Sequence, residues 1–296
     1  MNQGSLCLRN GVLYVARHEQ TAHVRPYDFD GRALGPGFSF RGPVGEPCGL
    51  GGIEVDSDHQ VWIADSLAGQ VRAFTLFGRE SLTLRGREGA RDDARGSFVQ
   101  ACDVALHETD DERLVLVASG GWRRHALQLL RPDGTLVESL RPEGSPLKRF
   151  HGLTRVAHAG RWTFACEAGA SRVQVFRDFD FHFAFRLSPR TGVVLEPVAI
   201  APLADGRCVV AVGGAESALL LVDAAGRIQR VLAPHGTGHG EVEHPGDVAV
   251  EDLGGGSAPR IAVIDRDAER VQVFTLEGRC HGELEALPGS AIGDLE

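Results

Sequence analysis

Lysine and asparagine are almost missing from this sequence. The single lysine is Lys148 among 31 basic residues, and the two asparagines are Asn2 and Asn10. The formal net charge is -9, so the average electrostatic field repels a phosphate backbone. The composition therefore disfavours nucleic-acid binding, because a protein that binds phosphates must present a large basic surface.

Long apolar runs and sequence signatures of catalysis are also missing. No stretch of about 18 apolar residues occurs, and residues 1–11 lack a basic segment followed by an apolar one, so we expect a cytoplasmic protein without membrane insertion. The six cysteines show no zinc-finger or CxxC spacing, and we expect most of them to be buried. Neither a phosphate-binding P-loop nor a GxSxG nucleophile motif is present.

An internal repeat is the strongest positive signal. Val-Trp-Ile-Ala-Asp at 61–65 precedes Val-Arg-Ala-Phe at 71–74, and Ile-Ala-Val-Ile-Asp at 261–265 precedes Val-Gln-Val-Phe at 271–274. The second half recurs at 173–176, and weaker copies begin at Val24, Leu127 and Leu219. The chain therefore contains six similar units.

A turn residue follows each of the six apolar starts at one fixed offset. Seven residues after each start come Gly31, Gly78, Gly134, Asp180, Gly226 and Gly278. Glycine adopts the positive φ that hairpin turns need, and aspartate tolerates it. We expect a positive φ at all six positions.

The spacing of the units predicts the fold class. Successive apolar starts lie 46 to 56 residues apart, which is enough for four short strands, and no stretch shows sustained helical periodicity. The sequence therefore predicts an all-β, six-bladed β-propeller of four-stranded antiparallel blades in one domain, 1–296. The expected blades are approximately 1–40, 46–88, 98–144, 150–190, 196–234 and 244–288. Two closures remain open: the N-terminal strand completes the last blade, or residues 280–287 supply that blade's outer strand.

Two stretches resemble the NHL repeat. Residues 235–250 combine a glycine-rich link with a proline before a hydrophobic strand, and Ile-Ala-Asp-Ser at 63–66 ends a strand with aspartate. The resemblance is strongest in the second and sixth units and spans nearly the whole chain. It implies an NHL-repeat propeller.

Polar residues occur where the inner strands of the propeller are expected to begin. Inner strands line a central channel, so a ring of carboxylates and imidazoles there is suited to holding a divalent cation or activating water. The expected channel-mouth residues are Glu46, Gln100, Asp103, His151, Glu196 and His244, and the candidate metal ligands among them are Glu46, His151, Glu196 and His244.

Two enzyme families provide a precedent for a channel metal. Gly45-Glu46-Pro47 resembles a motif of gluconolactonase-like propellers, but those enzymes also use asparagine, and neither asparagine of this chain lies at a channel position. The peptide α-amidating lyases, whose repeats this chain also resembles, hold zinc with histidines. The resemblance implies that His151 and His244 correspond to two of these ligands, but a third ligand is not evident. The sequence therefore favours a solvated polar rim.

The third unit contains the best candidate for a docking loop. Tryptophan and arginine are enriched in interface hot spots, and they occur here in a loop with a glycine pair. The predicted partner-binding residues are Trp122, Arg123, Arg124, His125, Lys148 and Arg149. Our leading hypothesis is a non-catalytic platform or assembly subunit that binds a protein partner and needs no cofactor. The alternative is a metal-dependent hydrolase or lyase with a divalent metal in the channel.

Two further patterns have structural explanations. Asp65 and Asp265 occupy one repeat position, so we expect each to accept hydrogen bonds from the amides of its own turn rather than to perform chemistry. Phe179, Phe181, Phe183 and Phe185 alternate with other residues, which predicts a strand with one aromatic face packed between blades four and five.

Overall fold

The computed structural model describes residues 3–18, 21–42, 45–46, 48–85, 98, 100–120, 126–141, 150–188, 194–251, 258–266 and 270–284. Within these residues lie 24 strands in six antiparallel sheets, each made of four consecutive strands. This confirms the predicted fold class, a six-bladed β-propeller. The described residues contain no helix that is long and apolar enough to cross a membrane.

The strands are numbered in chain order from the inner to the outer edge of each blade. Blade one comprises β1 (Gln3–Arg9), β2 (Val12–His18), β3 (Ala22–Tyr27) and β4 (Phe38–Phe40), and blade two β5 (Leu50–Val55), β6 (Val61–Asp65), β7 (Gln70–Phe74) and β8 (Glu80–Arg85). Blade three comprises β9 (Gln100–Glu108), β10 (Arg113–Gly120), β11 (Ala126–Leu130) and β12 (Leu136–Leu140), and blade four β13 (Leu153–Ala159), β14 (Trp162–Glu167), β15 (Arg172–Arg177) and β16 (Asp180–Phe185). Blade five comprises β17 (Glu196–Pro202), β18 (Cys208–Gly213), β19 (Ala218–Val222) and β20 (Ile228–Ala233), and blade six β21 (Pro245–Glu251), β22 (Arg260–Asp265), β23 (Arg270–Thr275) and β24 (Cys280–Leu284).

The repeated apolar starts all lie on the third strand of a blade. Each is followed by the turn to the fourth strand, and the five predicted glycines have positive φ values, between 76° and 85°. The same turns contact the blade before them, because a Cβ at each glycine would approach a residue of that blade's outer strand. The contacted residues are Leu284 for Gly31, Phe38 for Gly78, Leu84 for Gly134, Phe185 for Gly226 and Leu232 for Gly278.

The prediction of a positive φ for Asp180 is wrong. The residues with positive φ in that hairpin are Asp178 (50°) and Phe179 (69°), and Asp180 is the first residue of β16. Blade four therefore joins its third and fourth strands through two residues, and a two-residue hairpin with positive φ at both positions matches the twist of its strands.

The hydrophobic core is divided among the six seams between neighbouring blades. Six clusters of buried residues occur, and each combines side chains of two adjacent blades. This division follows from the alternation of side chains along a strand, which sends successive residues of one blade to opposite neighbours. A blade therefore buries both faces only when both neighbours are present.

An irregularity recurs in the inner strands of blades two to six. The pairing of the first and second strands passes over Cys102, Thr154, Val198 and Gly246, and in blade two it passes over residues 51–52. Such bulges bend a strand and redirect the next side chain. In each of these inner strands, the bulge thus sets the direction of the side chain that follows it.

The ring closes by contact between blades one and six. β24 is the fourth strand of blade six and β1 is paired within blade one, so the described residues show no exchange of strands. β1 lies against β21, and Asp247 of β21 accepts hydrogen bonds from Ser5 Oγ (2.5 Å) and the Leu6 amide (3.0 Å). Of the two closures, the described strands fit the one in which the last blade supplies its own outer strand.

The predicted single aromatic face of blade four needs correction. Phe183 and Phe185 pack in the seam with blade five, as expected, but Phe179 and Phe181 pack in the seam with blade three. The pairing of β15 with β16 passes over His182. This bulge separates the two pairs of phenylalanines and directs them to opposite faces of the blade.

Candidate functional site

A cluster of buried charges lies in the middle of the central channel. Arg155 of blade four reaches toward carboxylates of two other blades. Its Nε lies 3.7 Å from Asp247 Oδ1, and its Nη1 lies 4.0 Å from Asp103 Oδ1. The guanidinium also donates longer hydrogen bonds to the main-chain oxygens of Cys102 (3.5 Å) and Gly246 (3.4 Å). We call Arg155, Asp103 and Asp247 the central cluster.

Hydrogen bonds connect the central cluster with the inner strands of blades one and two. Asp103 Oδ2 accepts from the Val156 amide of blade four at 2.8 Å. Ser5, which donates to Asp247, accepts from the Ile53 amide of blade two at 3.1 Å. The polar groups of five blades therefore form one network across the channel.

The inner-strand bulges explain where the cluster forms. Asp103, Arg155 and Asp247 each follow the residue that the pairing passes over. Blade two has Gly52 near this level, and a Cβ there would overlap the carboxylate of Asp103. Glycine at position 52 therefore provides the space that Asp103 occupies.

Burial changes the ionisation of the cluster. Asp103 is 6% exposed. Loss of solvent raises its pKa to about 7, because the nearby charge of Arg155 offsets the burial only in part and Asp247 adds to the rise. Burial disfavours the charge of Arg155, but Asp247 and Asp103 together raise the pKa of its guanidinium. Asp103 is thus the group of this cluster that can take up a proton near neutral pH.

A further carboxylate, Glu54, lies on the inner strand of blade two. The Cys7 thiol donates to Glu54 Oε1 at 3.1 Å. Burial raises the pKa of Glu54, and burial together with the Glu54 carboxylate raises the pKa of the Cys7 thiol well above its ordinary value. This thiol is therefore not an activated nucleophile, since activation requires a lowered pKa.

The predicted channel-mouth residues separate into two groups. Asp103 is buried in the central cluster, whereas the others are exposed where the inner strands begin or in the segments that lead into them. These exposed residues are Glu46, Gln100, His151, Glu196 and His244. We call the face at which the inner strands begin the upper face, and the opposite one the lower face.

No metal centre is evident in the part of the chain that the structure describes. No group of three or more histidine, cysteine, aspartate or glutamate side chains there is arranged to hold a metal ion. The candidates Glu46, His151, Glu196 and His244 all belong to the described residues. They therefore do not converge as a set of ligands.

The acids that end the second strands accept hydrogen bonds from backbone amides, and for Asp65 these include the predicted bond from its own turn. Asp65 Oδ1 accepts from the amides of Gly49 (2.9 Å) and Ala68 (3.0 Å). Asp265 accepts from the amides of Glu243 (3.0 Å) and His244 (2.8 Å), so it ties the segment that enters the inner strand, whereas residues 267–269 of its own turn lie outside the described residues. Each acid therefore fixes the mouth of its blade.

The predicted docking residues lie outside the described residues. Trp122, Arg123, Arg124 and His125 belong to the segment 121–125 between β10 and β11, and Lys148 and Arg149 belong to 142–149 between β12 and β13. Second strands end, and inner strands begin, at the upper face. Both segments are therefore attached to the chain at that face.

Sequence reasoning missed Arg155 and Asp247. A signal for them exists, because Asp103, Arg155 and Asp247 are each followed by Val-Ala. A recurring position that changes from acid to base in one unit indicates charges that meet across a ring. This pattern of a charged residue followed by Val-Ala is only three residues long. The bulges that bring the three charged residues to one level are not visible in the sequence.

The comparisons with known proteins support the fold. Neither the protein-family models nor the curated proteins contain a match to this chain. Among solved structures, a catalytically inactive virginiamycin B lyase from Staphylococcus aureus with quinupristin is similar, with a TM-score of 0.59, 11% identity, and 98% of this chain and 86% of the lyase covered. This is a likeness of fold.

Two further solved structures are similar to this chain. The WD40 propeller domain of Doa1 has a TM-score of 0.55 at 16% identity, with 96% of this chain and 82% of that chain covered. The structure of a nidogen/laminin complex has a TM-score of 0.61 at 15% identity, with 95% and 92% covered. The similar structures include a lyase and a protein complex, and the likeness is one of fold alone, so function must be argued from the site.

Proposed function

We propose that this chain is a non-catalytic protein-interaction platform or assembly subunit that uses the rim of its upper face. The observation that carries the proposal is the central cluster, in which Arg155 joins Asp103 and Asp247 across the channel. A channel occupied by its own ion pairs leaves the rim as the accessible surface of that face. The proposed contact residues are those of the segment 121–125 together with Lys148 and Arg149.

The similar folds fit this proposal. A WD40 domain and a chain of the nidogen/laminin complex share the propeller architecture. We further propose that the blades are of the NHL type, on the glycine-rich link and proline before β21 and the aspartate that ends β6. The proposed partner is a protein, bound without a cofactor.

The competing function is a metal-dependent hydrolase or lyase at the channel mouth. The lyase fold of the virginiamycin B enzyme favours it, and His151 and His244 are exposed at the upper face. In that case a divalent cation would supply Lewis-acid activation of water or substrate. The residues proposed to hold it are Glu46, His151, Glu196 and His244, which would have to come together on metal binding, because no three of them form a metal-binding group in the described structure.

Truncation of one aromatic side chain tests the platform. Trp122→Ala is expected to weaken binding of the partner by roughly 2 kcal/mol, because truncation of an interface anchor typically costs this much. Partners are first identified by pull-down from the lysate of the native host, and their dissociation constants are then measured. The matched control is Phe77→Ala, which removes an aromatic side chain that is 95% exposed on the lower face.

The same assay separates the two functions. The double variant His151→Ala, His244→Ala should leave partner binding unchanged if the platform proposal is correct. Equal affinity of wild type and Trp122→Ala would remove the segment 121–125 from the proposal. A stoichiometric zinc, calcium or iron in chelator-free protein, lost in the double variant, would support the enzyme instead.

A further inference from the structure

A cleft of about 340 Å³ opens between blades five and six, away from the upper face. Its size lies at the lower end of the range for small-molecule sites. The turn between β17 and β18, the outer strand β20 and the turn between β23 and β24 form it. The lining residues are Arg207, Leu221, Gln229, Arg230, Leu276 and Glu277.

The floor of the cleft is apolar. Leu221 and Leu276 belong to the core cluster of the seam between blades five and six. The corresponding turn of blade one has Phe29 at the position of Leu276, two residues before the turn glycine. Phe29 packs into its seam beneath the guanidinium of Arg260, at 4.1 Å. Leu276 fills less of the equivalent space because its side chain is smaller.

Two guanidinium groups lie beside this apolar floor. Arg207 Nε donates to Asp205 Oδ2 at 2.7 Å, and Arg230 Nη1 donates to the main-chain oxygen of Glu277 at 3.1 Å. Among the described residues, neither guanidinium makes a further hydrogen bond, so several N–H donors remain available, although the charge of Arg230 also interacts with the nearby Glu277 carboxylate. The Glu277 carboxylate accepts from the Thr275 hydroxyl, which is the main cause of its lowered pKa.

An irregularity of the outer strand brings the polar groups together. The pairing of β19 with β20 is irregular at two places, whereas the outer strands of blades two, three, four and six show one each. The irregularity nearest the turn passes over Gln229 and recurs at the equivalent position of those blades, and the additional one passes over Leu232. Gln229 and Arg230 are consecutive and both line the cleft, which a regular strand would not allow.

We propose that this cleft binds an aliphatic carboxylate. In this proposal the carboxylate lies beside Arg207 and Arg230, whose guanidinium groups can donate charge-assisted hydrogen bonds, and the aliphatic chain lies against Leu221 and Leu276. A small organic acid and the C-terminal leucine of a peptide share this chemistry. The site is independent of the proposed platform, because the contact residues of the platform are attached at the upper face.

Calorimetric titration of the full chain with hexanoate tests the site. We expect saturable binding with a dissociation constant of roughly millimolar, as the small size of the probe allows. Arg230→Gln should weaken it roughly five- to tenfold through the lost charged donor. The matched control is Arg227→Gln, because Arg227 is 80% exposed, pairs with Asp223 and does not line the cleft. Its affinity should equal that of the wild type.

Further probes identify the source of the carboxylate and the role of the floor. Acetyl-Gly-Leu should compete with hexanoate if the site accepts a peptide C-terminus, and its C-terminal amide should not compete. Binding of hexanoate without competition assigns the site to small acids. Leu276→Phe should abolish binding at an unchanged unfolding temperature. Equal affinities of Arg230→Gln and Arg227→Gln, equal binding of hexylamine, or no saturation at roughly 10 mM hexanoate would each overturn the proposal.

Discussion

Arg155 is the residue on which the centre of this propeller depends. It lies between two buried carboxylates at 3.7 and 4.0 Å, so its charge is shared rather than matched to one partner. Buried ion pairs contribute little net stability, because the loss of hydration offsets their attraction. Removing one member of such a pair lowers stability, because the remaining charge stays buried without hydration or a partner. The central cluster therefore links blades three, four and six, but it contributes little net folding stability.

Asp103 gives this cluster a specific pH dependence. Its pKa of about 7 in the folded chain exceeds the ordinary value of about 4, so the unfolded chain loses this proton first as the pH rises. The group therefore lowers stability progressively between about pH 4 and about pH 7. Asp103→Asn removes this effect and retains an acceptor for the Val156 amide.

We expect the difference in unfolding free energy between Asp103→Asn and the wild type to change with pH. The free energy of unfolding of Asp103→Asn, relative to the wild type, should rise by roughly 1 to 4 kcal/mol between about pH 4 and about pH 8. Urea denaturation at several pH values measures it. A difference that stays constant with pH would show that Asp103 ionises as an exposed aspartate does.

The turn between the third and fourth strands is the element that repeats most faithfully. Its glycine has two functions, because it adopts a positive φ and also lies against the outer strand of the preceding blade. Sequence reasoning identified the first function from a fixed offset. The second depends on how neighbouring blades pack, which no single unit of the sequence contains.

Two glycines with the same φ separate these functions. Gly11 has a φ of 77° and no atom within 4 Å of its Cβ position, whereas Gly78 has a φ of 76° and lies 2.8 Å from Phe38 Cβ by the same construction. Gly11→Ala should cost about 1 kcal/mol from the backbone alone. Gly78→Ala should cost roughly 1 to 3 kcal/mol more, because Phe38 must shift. Chemical denaturation of both variants measures the difference, and equal losses would exclude a packing role for Gly78.

At the scale of the whole molecule, the described residues form six seams and share no common centre of apolar side chains. The polar central cluster lies where the core of a simple globular domain would be. Each blade is made of consecutive strands, so any blade-to-blade connection is a possible chain end. Stability should depend on a closed circle of seams rather than on which connection is open.

A circular permutant and a truncation test this dependence. The permutant begins at Gly238, ends at Thr237 and joins residues 296 and 1 through a flexible glycine-serine linker. All six seams remain, so its unfolding temperature should lie within roughly 10 °C of the wild type. The truncation ends at His244 and lacks blade six, which leaves the apolar faces of blades five and one uncovered. It should lose cooperative thermal unfolding in circular dichroism, and a cooperative transition in the truncated chain would show that the blades fold independently.

The sequence by itself determined the fold class, the six third strands and five of the six turn conformations. These features depend on local periodicity and on the φ preference of glycine, which each unit carries in its own residues. Tertiary structure decided the two-residue turn at Asp178 and Phe179, the division of the four phenylalanines between two seams, and the meeting of Arg155 with Asp103 and Asp247. Bulges change which face a side chain occupies, and ring closure brings together residues that are more than 90 positions apart. Neither effect leaves a local pattern in the sequence, because both arise only when neighbouring strands pair and all six blades pack into a ring.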